Sequence, residues 1–392
     1  MFSRAVLQIR EKEAEKITIM NDTGNKQKIL RLLEITAGAF SLFVAFGWSF
    51  FDMLVRCKGK KRQKKKKWFK LSHIKKNHPR DKYEKEYEEG KLWCAEQQMK
   101  DCFIRSRDGL YLHAYYLPTK EAKRFVLLSH GYKGSGFGDF AYTARFLHEN
   151  ACNLLFIDQR CCGLSEGEYI TFGAKEQWDV QQWSYYIAAR NREKLPIYLY
   201  GESMGAAAVL MASGHKLPEE VKGLIADCGF CSMKRQLQDI AANWFHLGWV
   251  ELLLFRVDLF CRMFGRFRMS DADTIEAMKK NKRPVLFFHG EADTYVVPEN
   301  SVYNYALCSA PKELVIIPEA RHLCAPYAAP ELYRQKLLDF FEKWGFLRSV
   351  NAQLNDYGNK IFIVTENQAN ALREEINMAG YKEPGVDVTT IT

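Results

Sequence analysis

From Cys102 onward, short apolar runs bounded by Gly, Pro or Asp alternate with longer amphipathic stretches. Runs such as FVLLSH and PVLFFHG are apolar at nearly every position, which is typical of strands buried on both faces. Two antiparallel strands followed by repeated strand–helix units predict an α/β fold, with a mostly parallel eight-stranded sheet and helices on both faces. The predicted strands are Cys102–Arg105, Tyr111–Leu117, Phe125–His130, Asn153–Ile157, Ile197–Tyr200, Gly223–Asp227, Val285–His289 and Leu314–Ile317.

The fifth predicted strand leads directly into Gly201-Glu-Ser203-Met-Gly205, and an apolar helix follows. A G-x-S-x-G motif between a strand and a helix forms a sharp turn, which holds the serine on strained backbone and leaves its hydroxyl exposed. The pattern therefore predicts Ser203 as a nucleophile. A second match, Gly163–Gly167, is followed by loop-like residues, so its context favours Ser203.

A serine nucleophile needs a base, and the base needs an acid that orients it. His322 follows the last predicted strand and precedes a predicted helix, and Asp293 lies just past the penultimate strand. The chain order Ser, Asp, His is the order expected for this architecture. Asp227, which ends an earlier strand, is the rival acid.

The developing oxyanion should be held by two backbone N–H groups. One belongs to Met204, at the start of the helix behind the nucleophile. The other is predicted to be that of Tyr132, in the loop 130–134 after the third strand. His130 and His289 each end a strand before a glycine, and they are interpreted as structural residues.

Together these motifs resemble the α/β-hydrolase superfamily over Cys102–Gly345, and specifically its serine aminopeptidase-like and lysophospholipase or monoglyceride-lipase-like members. The turn Asp158–Gly167 is similar to the D-x-R-x-x-G-x-S-x-G turn of that group, which implies a structural role for Ser165. The resemblance implies an α/β-hydrolase catalytic domain over 101–346. A serine mechanism needs no metal and no organic cofactor, so neither is expected.

An insertion of about residues 231–281 separates the sixth and seventh strands, and its centre is dense in aromatic and aliphatic side chains. It is either a cap helix packed on the core or a lid with an apolar lining. Glu251 and Asp258 are the only acids in that centre, which favours acyl substrates over substrates with a free amino terminus. We therefore expect hydrolysis of an ester or thioester of an apolar, lipid-like acyl group through an acyl-enzyme. An aminopeptidase-type amidase and a catalytically silent membrane scaffold are the alternatives.

Residues 35–55 form an apolar run with one charge, Asp52, after a polar segment over 1–34. About 20 such residues suffice to cross a bilayer, so a transmembrane anchor is expected, with a secretory signal peptide and a buried helix as the alternatives. The basic linker and helix of 56–100 follow, and positive flanks stay cytoplasmic. The expectation is a single-pass membrane protein with a cytoplasmic catalytic domain, whose linker can also lie on anionic lipid headgroups.

Between Lys58 and Lys82 there are 13 Lys and Arg against one acid, Asp81, whereas the whole chain has a net charge of +10. The catalytic body is therefore near neutral, which argues against nucleic-acid binding. The 11 cysteines show no paired C-x-x-C spacing of a zinc site, and their odd number favours a reducing compartment. The extension 347–392 is either a strand–helix pair at the sheet edge or a small appended unit. Oligomeric state, and translation from Met1 or from Met20, are left open.

Overall fold

The structure, a computed structural model, describes residues 28, 30–36, 38, 41, 43–57, 80–245, 250–345, 359–363 and 386–390. Most of the polar segment 1–34, the basic run 58–79 and most of the extension 347–392 lie outside these residues. The predictions made for those stretches are therefore not addressed by it.

All eight predicted strands are present, and two further strands extend the same sheet. The spatial order is β1-β2-β4-β3-β5-β6-β7-β8-β9-β10. As predicted, β1 and β2 pair antiparallel; β2 also pairs antiparallel with β4, and every other neighbouring pair is parallel. The strands are β1 (Lys100–Arg105), β2 (Tyr111–Leu117), β3 (Arg124–Ser129), β4 (Cys152–Ile157), β5 (Ile197–Glu202), β6 (Val221–Asp227), β7 (Val285–Gly290), β8 (Lys312–Ile317), β9 (Asn359–Ile363) and β10 (Val386–Thr390).

Helices cover both faces of this sheet, because successive side chains of each buried strand point to opposite sides. The protein has a separate apolar core cluster on each face of the sheet. In β5, Leu199 packs in one of these clusters and its neighbour Tyr198 packs in the other. The helix predicted over Phe140–Asn150 is shorter in the structure, Thr143–Glu149, and a separate helical turn, Gly136–Asp139, precedes it. The helices are α1 (Glu84–Glu96), α2 (Gly136–Asp139), α3 (Thr143–Glu149), α4 (Glu176–Arg190), α5 (Met204–Ala212), α6 (Met233–Phe245), α7 (Glu251–Phe260), α8 (Ile275–Lys280), α9 (Glu299–Leu307), α10 (Ala325–Ala328) and α11 (Pro330–Gly345).

Residues 43–54 form an N-terminal helix that packs on the body of the protein. Phe51 and Val55 are fully buried, and the Trp48 ring lies 5.5 Å from that of Phe260 in α7. A Cβ on Gly47 would stand 2.7 Å from Arg256 Cβ, so the two helices touch at that glycine.

Among the residues that the structure describes, no helix has the length and apolarity needed to cross a membrane. The transmembrane anchor predicted over 35–55 is therefore not supported. The C-terminal part of that run, which contains Phe51 and Val55, is buried against protein instead. An apolar run can be buried equally well by lipid or by another helix, which is why the pattern pointed to a membrane.

The insertion between β6 and β7 forms a helical cap of α6, α7 and α8, with a π-helical turn Cys261–Gly265 after α7. Side chains of α7, among them Leu254 and Val257, share one apolar cluster with Phe51 and with Met204 at the start of α5. The cap and the N-terminal helix therefore pack together over the turn that carries Ser203.

Two strands of the C-terminal extension, β9 and β10, lie at the edge of the sheet. Strand β9 pairs parallel with β8, and β10 pairs parallel with β9.

Candidate active site

Ser203 sits on strained backbone at the turn between β5 and α5. Its φ of 54° and ψ of −121° lie in a region that L residues rarely adopt. A Cβ on Gly201 would stand 2.3 Å from the Gly205 carbonyl oxygen, and one on Gly205 would stand 1.9 Å from the Ser129 carbonyl oxygen. Both flanking positions therefore require glycine, as the motif predicted.

A hydrogen-bonded chain of three side chains starts at this serine. His322 Nε2 lies 3.0 Å from Ser203 Oγ, and His322 Nδ1 lies 2.6 Å from Asp293 Oδ2. The second Asp293 oxygen accepts backbone N–H groups of Tyr295 and Val296, each at 2.9 Å. With the Nδ1–H tautomer that the aspartate favours, Nε2 is free to accept the Ser203 hydroxyl proton.

The surroundings keep Asp293 ionised. Burial alone would raise the pKa of Asp293, but the electrostatic interaction with His322 and hydrogen bonds from His289 and His322 outweigh it and hold this pKa below its usual value. His289 Nε2 lies 3.4 Å from Asp293 Oδ2, and its ring is fixed by Ser301 Oγ at 2.7 Å from Nδ1. The histidine interpreted as structural therefore contributes to the electrostatics of the acid.

The rival acid Asp227 does not reach His322. Its carboxylate accepts a hydrogen bond from the Tyr333 hydroxyl at 2.7 Å, and its carbonyl oxygen accepts the N–H of Ser203 at 2.9 Å. The structure thus brings together Ser203, Asp293 and His322, and it uses Asp227 to support the turn.

The two predicted oxyanion-hole residues belong to segments that adjoin the serine. Met204 is the first residue of α5, where backbone N–H groups have no partner within the helix. A Cβ on Gly131 would stand 3.2 Å from Ser203 Cβ, so the loop that contains Tyr132 runs past the nucleophile. The Gly131 N–H donates to Asp139 Oδ2 at 2.7 Å, which holds this loop against α2.

The second G-x-S-x-G serine has a different environment. Ser165 Oγ donates to the Asp158 carbonyl oxygen at 2.6 Å and accepts the His113 N–H at 2.8 Å. Its hydroxyl is thus used to close the turn after β4, in agreement with the structural role that the resemblance implied.

Three residues near the serine were missed in the sequence: Arg80, Glu202 and Cys228. Arg80 lies within a run of basic residues that gave no sign of burial, yet its side chain is 3% exposed. Glu202 is the variable position of the motif, and it is buried as well. Its one signal in the sequence is that a carboxylate stands at the end of an otherwise apolar strand, where acids are rarely buried without a partner.

Cys228 lies beneath the triad, and its sulfur, an Asp293 oxygen and a His322 nitrogen all fall within 4.8 Å of one another. A metal would need the thiolate form of the cysteine. Burial and the neighbouring carboxylates raise the pKa of Cys228 well above its usual value, so the thiol keeps its proton.

Comparison with known proteins places these features in context. Residues 120–259 match the Hydrolase_4 family model, described as serine aminopeptidase, S33. The uncharacterized protein YqkD of Bacillus subtilis is 26% identical over 249 residues, which are 63% of this chain and 81% of that protein. The alpha/beta hydrolase domain-containing protein WAV2 of Arabidopsis thaliana is 25% identical, over 62% of this chain and 79% of that protein.

Among solved structures, the Pyrococcus furiosus esterase Pf2001 superposes with a TM-score of 0.53 and 23% identity. The match covers 64% of this chain and 92% of that chain, and at this identity it shows the fold. Together, the matching segment, these relatives and the solved structure show that this chain has the fold of the α/β-hydrolases.

Proposed function

We propose that this protein is a serine hydrolase in which Ser203 is the nucleophile, His322 the general base and acid, and Asp293 the acid that orients the histidine. The hydrogen-bonded chain from Ser203 through His322 to Asp293, at a strained turn between strand and helix, carries the proposal. Each contact has the distance and the polarity that acyl transfer to a serine requires.

In the proposed reaction Ser203 Oγ attacks the acyl carbon while His322 Nε2 takes the hydroxyl proton. The carbonyl electron pair moves to oxygen, where the N–H groups of Met204 and Tyr132 would stabilise the negative charge. Collapse of this intermediate expels the alcohol or thiol, which receives the proton from His322. A water molecule, deprotonated by His322, then attacks the acyl-enzyme and releases the acid and free Ser203.

The preferred substrate class is an ester or thioester of an apolar acyl group. The side chains around the serine support it, since Met204, Phe172 and Phe230 belong to the same apolar cluster as the cap. The two acids of the cap centre are engaged elsewhere. Glu251 pairs with Lys234 at 2.9 Å, and Asp258 accepts the Met269 N–H at 2.6 Å.

An aminopeptidase-type amidase with the same triad is the second candidate, because the matching family model is described as serine aminopeptidase. Such an enzyme would need a carboxylate that binds a free amino terminus. In helix α6 as the structure describes it, the candidate for this carboxylate is Asp239. Its side chain accepts a hydrogen bond from Asn300 at 3.3 Å.

The outer side of the cap supports action at a lipid surface. Leu252, Phe255, Leu259 and Met263 recur at helical spacing in α7 and the turn that follows it, and between 44% and 65% of each is exposed. The exposed side chains of Arg266 and Arg268 stand close by in the chain. An apolar face beside cations fits an anionic bilayer surface, which is the partner that we propose.

This partner can be tested by flotation with vesicles that contain phosphatidylserine. We expect the double variant Phe255→Ser and Met263→Ser to float about tenfold less than the parent, because each exposed side chain adds buried apolar area. The matched control is Leu92→Ser on the exposed side of α1. Equal flotation of the double variant and the parent would refute this surface.

The main experiment compares the purified protein with Ser203→Ala on nitrophenyl esters of rising acyl length and on aminoacyl arylamides. Turnover that rises with acyl length and is lost in Ser203→Ala supports the proposal. Preference for arylamides would identify the amidase instead. The control is Ser309→Ala, whose hydroxyl donates to the Lys279 carbonyl oxygen at an exposed position.

A fluorophosphonate probe tests the same serine without knowledge of the substrate. Ser203 Oγ would bond to phosphorus as fluoride leaves and His322 takes the proton. A protein that is neither labelled nor active on any of these substrates would be a silent scaffold, and the proposed function would then be wrong.

A further inference from the structure

Arg80 is a fully enclosed cation at the point where the chain enters the catalytic body. It immediately precedes the short 3-10 turn Asp81–Tyr83 and helix α1, outside the segment that matches the family model. Its guanidinium lies over the Tyr87 ring, 5.2 Å from the ring centre. A buried arginine needs partners for its donors, and those partners indicate what it does.

The donors of Arg80 are directed at carbonyl oxygens of helix α2 and of the loop that contains His322. Nη1 donates to the Gly138 carbonyl at 3.3 Å, and Nη2 donates to the Asp139 carbonyl at 3.5 Å. Nε donates to the carbonyl of Leu323, the residue after His322, at 3.4 Å. One side chain therefore touches both the end of the loop that contains Tyr132 and the loop that contains His322.

Two carboxylates, those of the buried Glu202 and the partly buried Asp139, also lie close to Arg80. Arg80 Nη1 lies 3.6 Å from Asp139 Oδ1, and the other oxygen of that carboxylate accepts the N–H of Gly131. Arg80 Nη2 lies 3.7 Å from Oε2 of Glu202, the residue before Ser203. The same guanidinium thus reaches the nucleophile turn as well as the two loops.

We propose that Arg80 is a positioning residue, which holds the oxyanion loop 131–139, the nucleophile turn and the His322 loop at fixed separations. The inference rests on the proposed function, because it assigns a role within that same site. Arg80 itself touches no reacting atom. It acts through Gly131, Glu202 and the backbone next to His322.

Only a guanidinium suits these partners. Its donors lie in one plane and point in several fixed directions, whereas a lysine ammonium is a single centre on a flexible stem. Arg80→Lys keeps the charge between Asp139 and Glu202, but it cannot reach Gly138, Asp139 and Leu323 at once. This variant therefore separates the effect of donor position on kcat from the effect of the positive charge.

The test measures kcat and KM of Arg80→Lys and Arg80→Met on the best ester of the acyl series, beside the fluorophosphonate labelling rate. We expect kcat and the labelling rate to fall about 10-fold for Lys and about 100-fold for Met, because small misplacement of reacting groups costs that much. KM should stay within about twofold, since no substrate contact is removed.

The matched control is Arg160, which is 4% exposed and is paired with Asp179 through two 2.8 Å contacts. Its hydrogen bonds go to Asp108 and Asp179, neither of which belongs to the three segments that Arg80 joins. Arg160→Lys removes equivalent bonds of a buried arginine. We expect it to lower stability while kcat stays within about threefold of the parent.

Unchanged kcat in Arg80→Lys, or an equal loss of kcat in Arg160→Lys, would overturn the proposal even if Arg80→Met fails to fold. A rise in KM with unchanged kcat would overturn it too, because that result indicates a substrate contact. If the parent protein shows neither Ser203-dependent hydrolysis nor labelling, the proposed function fails first. The two failures are therefore distinguishable.

Discussion

The Tyr132 hydroxyl donates a hydrogen bond to the Leu54 carbonyl oxygen, with 2.7 Å between the two oxygens. Lys133 Nζ donates to the neighbouring carbonyl of Met53 at 2.9 Å. The last carbonyl groups of a helix have no partner within it, so both residues satisfy acceptors at the end of the N-terminal helix. The loop predicted to bind the oxyanion is thus fastened to that helix.

We expect Tyr132→Phe to lower the free energy of unfolding by about 1 kcal/mol, as loss of one hydrogen bond does. Since the backbone of Tyr132 belongs to the oxyanion loop, ester turnover should also fall, by roughly threefold to tenfold. Denaturant unfolding and kcat measure the two effects. Tyr185→Phe is the control, because that exposed hydroxyl bonds to the Lys216 carbonyl at 3.3 Å. Equal kcat in both variants would show that the helix contact does not affect the loop.

Asp293→Asn should reduce kcat by about 10³-fold to 10⁴-fold, because an amide cannot hold His322 in the Nδ1–H tautomer. Asp227→Asn should reduce kcat by less than about tenfold, since Asp227 bonds to Tyr333 and does not contact His322. Steady-state kinetics on one ester decides between them. If Asp227→Asn proved the more damaging change, the assignment of the acid would be reversed.

Gly205→Ala should abolish folding or cost more than about 4 kcal/mol, which is an exceptional loss for one residue. The added methyl group would stand 1.9 Å from the Ser129 carbonyl oxygen, and backbone on both sides prevents its escape. Gly345→Ala is the control, with its nearest neighbour at 3.4 Å in ordinary contact. Soluble yield and denaturant midpoints measure both. A folded Gly205→Ala with parental stability would contradict the geometry of the turn.

Glu202→Gln should change the pH dependence of stability. Burial raises the pKa of Glu202 well above 4.5, with Asp227 and Asp139 adding to the rise and Arg80 opposing it. Between pH 4.5 and that raised pKa, the folded chain holds a proton that the unfolded chain has released. The free energy of unfolding of the parent therefore falls as pH rises, by at most about 1.4 kcal/mol per pH unit from this group.

Glutamine does not titrate, so Glu202→Gln should lack that part of the decline. The difference in unfolding free energy, variant minus parent, should grow in the variant's favour as pH rises from 4.5 toward the raised pKa of Glu202. Denaturant titrations across that range measure it, with the exposed Glu331→Gln as control. Parallel curves for Glu202→Gln and the parent would mean that the carboxyl group titrates normally inside the protein.

The sheet could be predicted because its signal is local. The central strands are largely apolar runs, and Ser203, Asp293 and His322 each follow a strand, where parallel sheets gather loops at one edge. The N-terminal helix was misjudged because an apolar run does not show what buries it. Phe51 packs on Phe260, some two hundred residues away, and periodicity contains no such information.

Arg80 illustrates the other limit of sequence reasoning. It is one of 13 basic residues between Lys58 and Lys82, and its neighbours in the sequence give no reason to set it apart. Its burial depends on contacts with Gly138, Leu323 and Glu202, which lie in three segments that are far apart in the sequence. Such long-range convergence is a property of the tertiary structure alone.

The position of Arg80 also determines how far the N-terminal part of this protein can be shortened without loss of contacts to the site. A truncation that begins at Lys100, where the sheet begins, would retain Ser203, Asp293 and His322. It would nevertheless discard Arg80 and α1, whose Gly90 lies so close to Ala141 that an added Cβ would stand 2.0 Å from the Ala141 carbonyl oxygen. The segment ahead of the sheet therefore belongs to the catalytic unit, and a shortened version intended for crystallisation or engineering should start before residue 80.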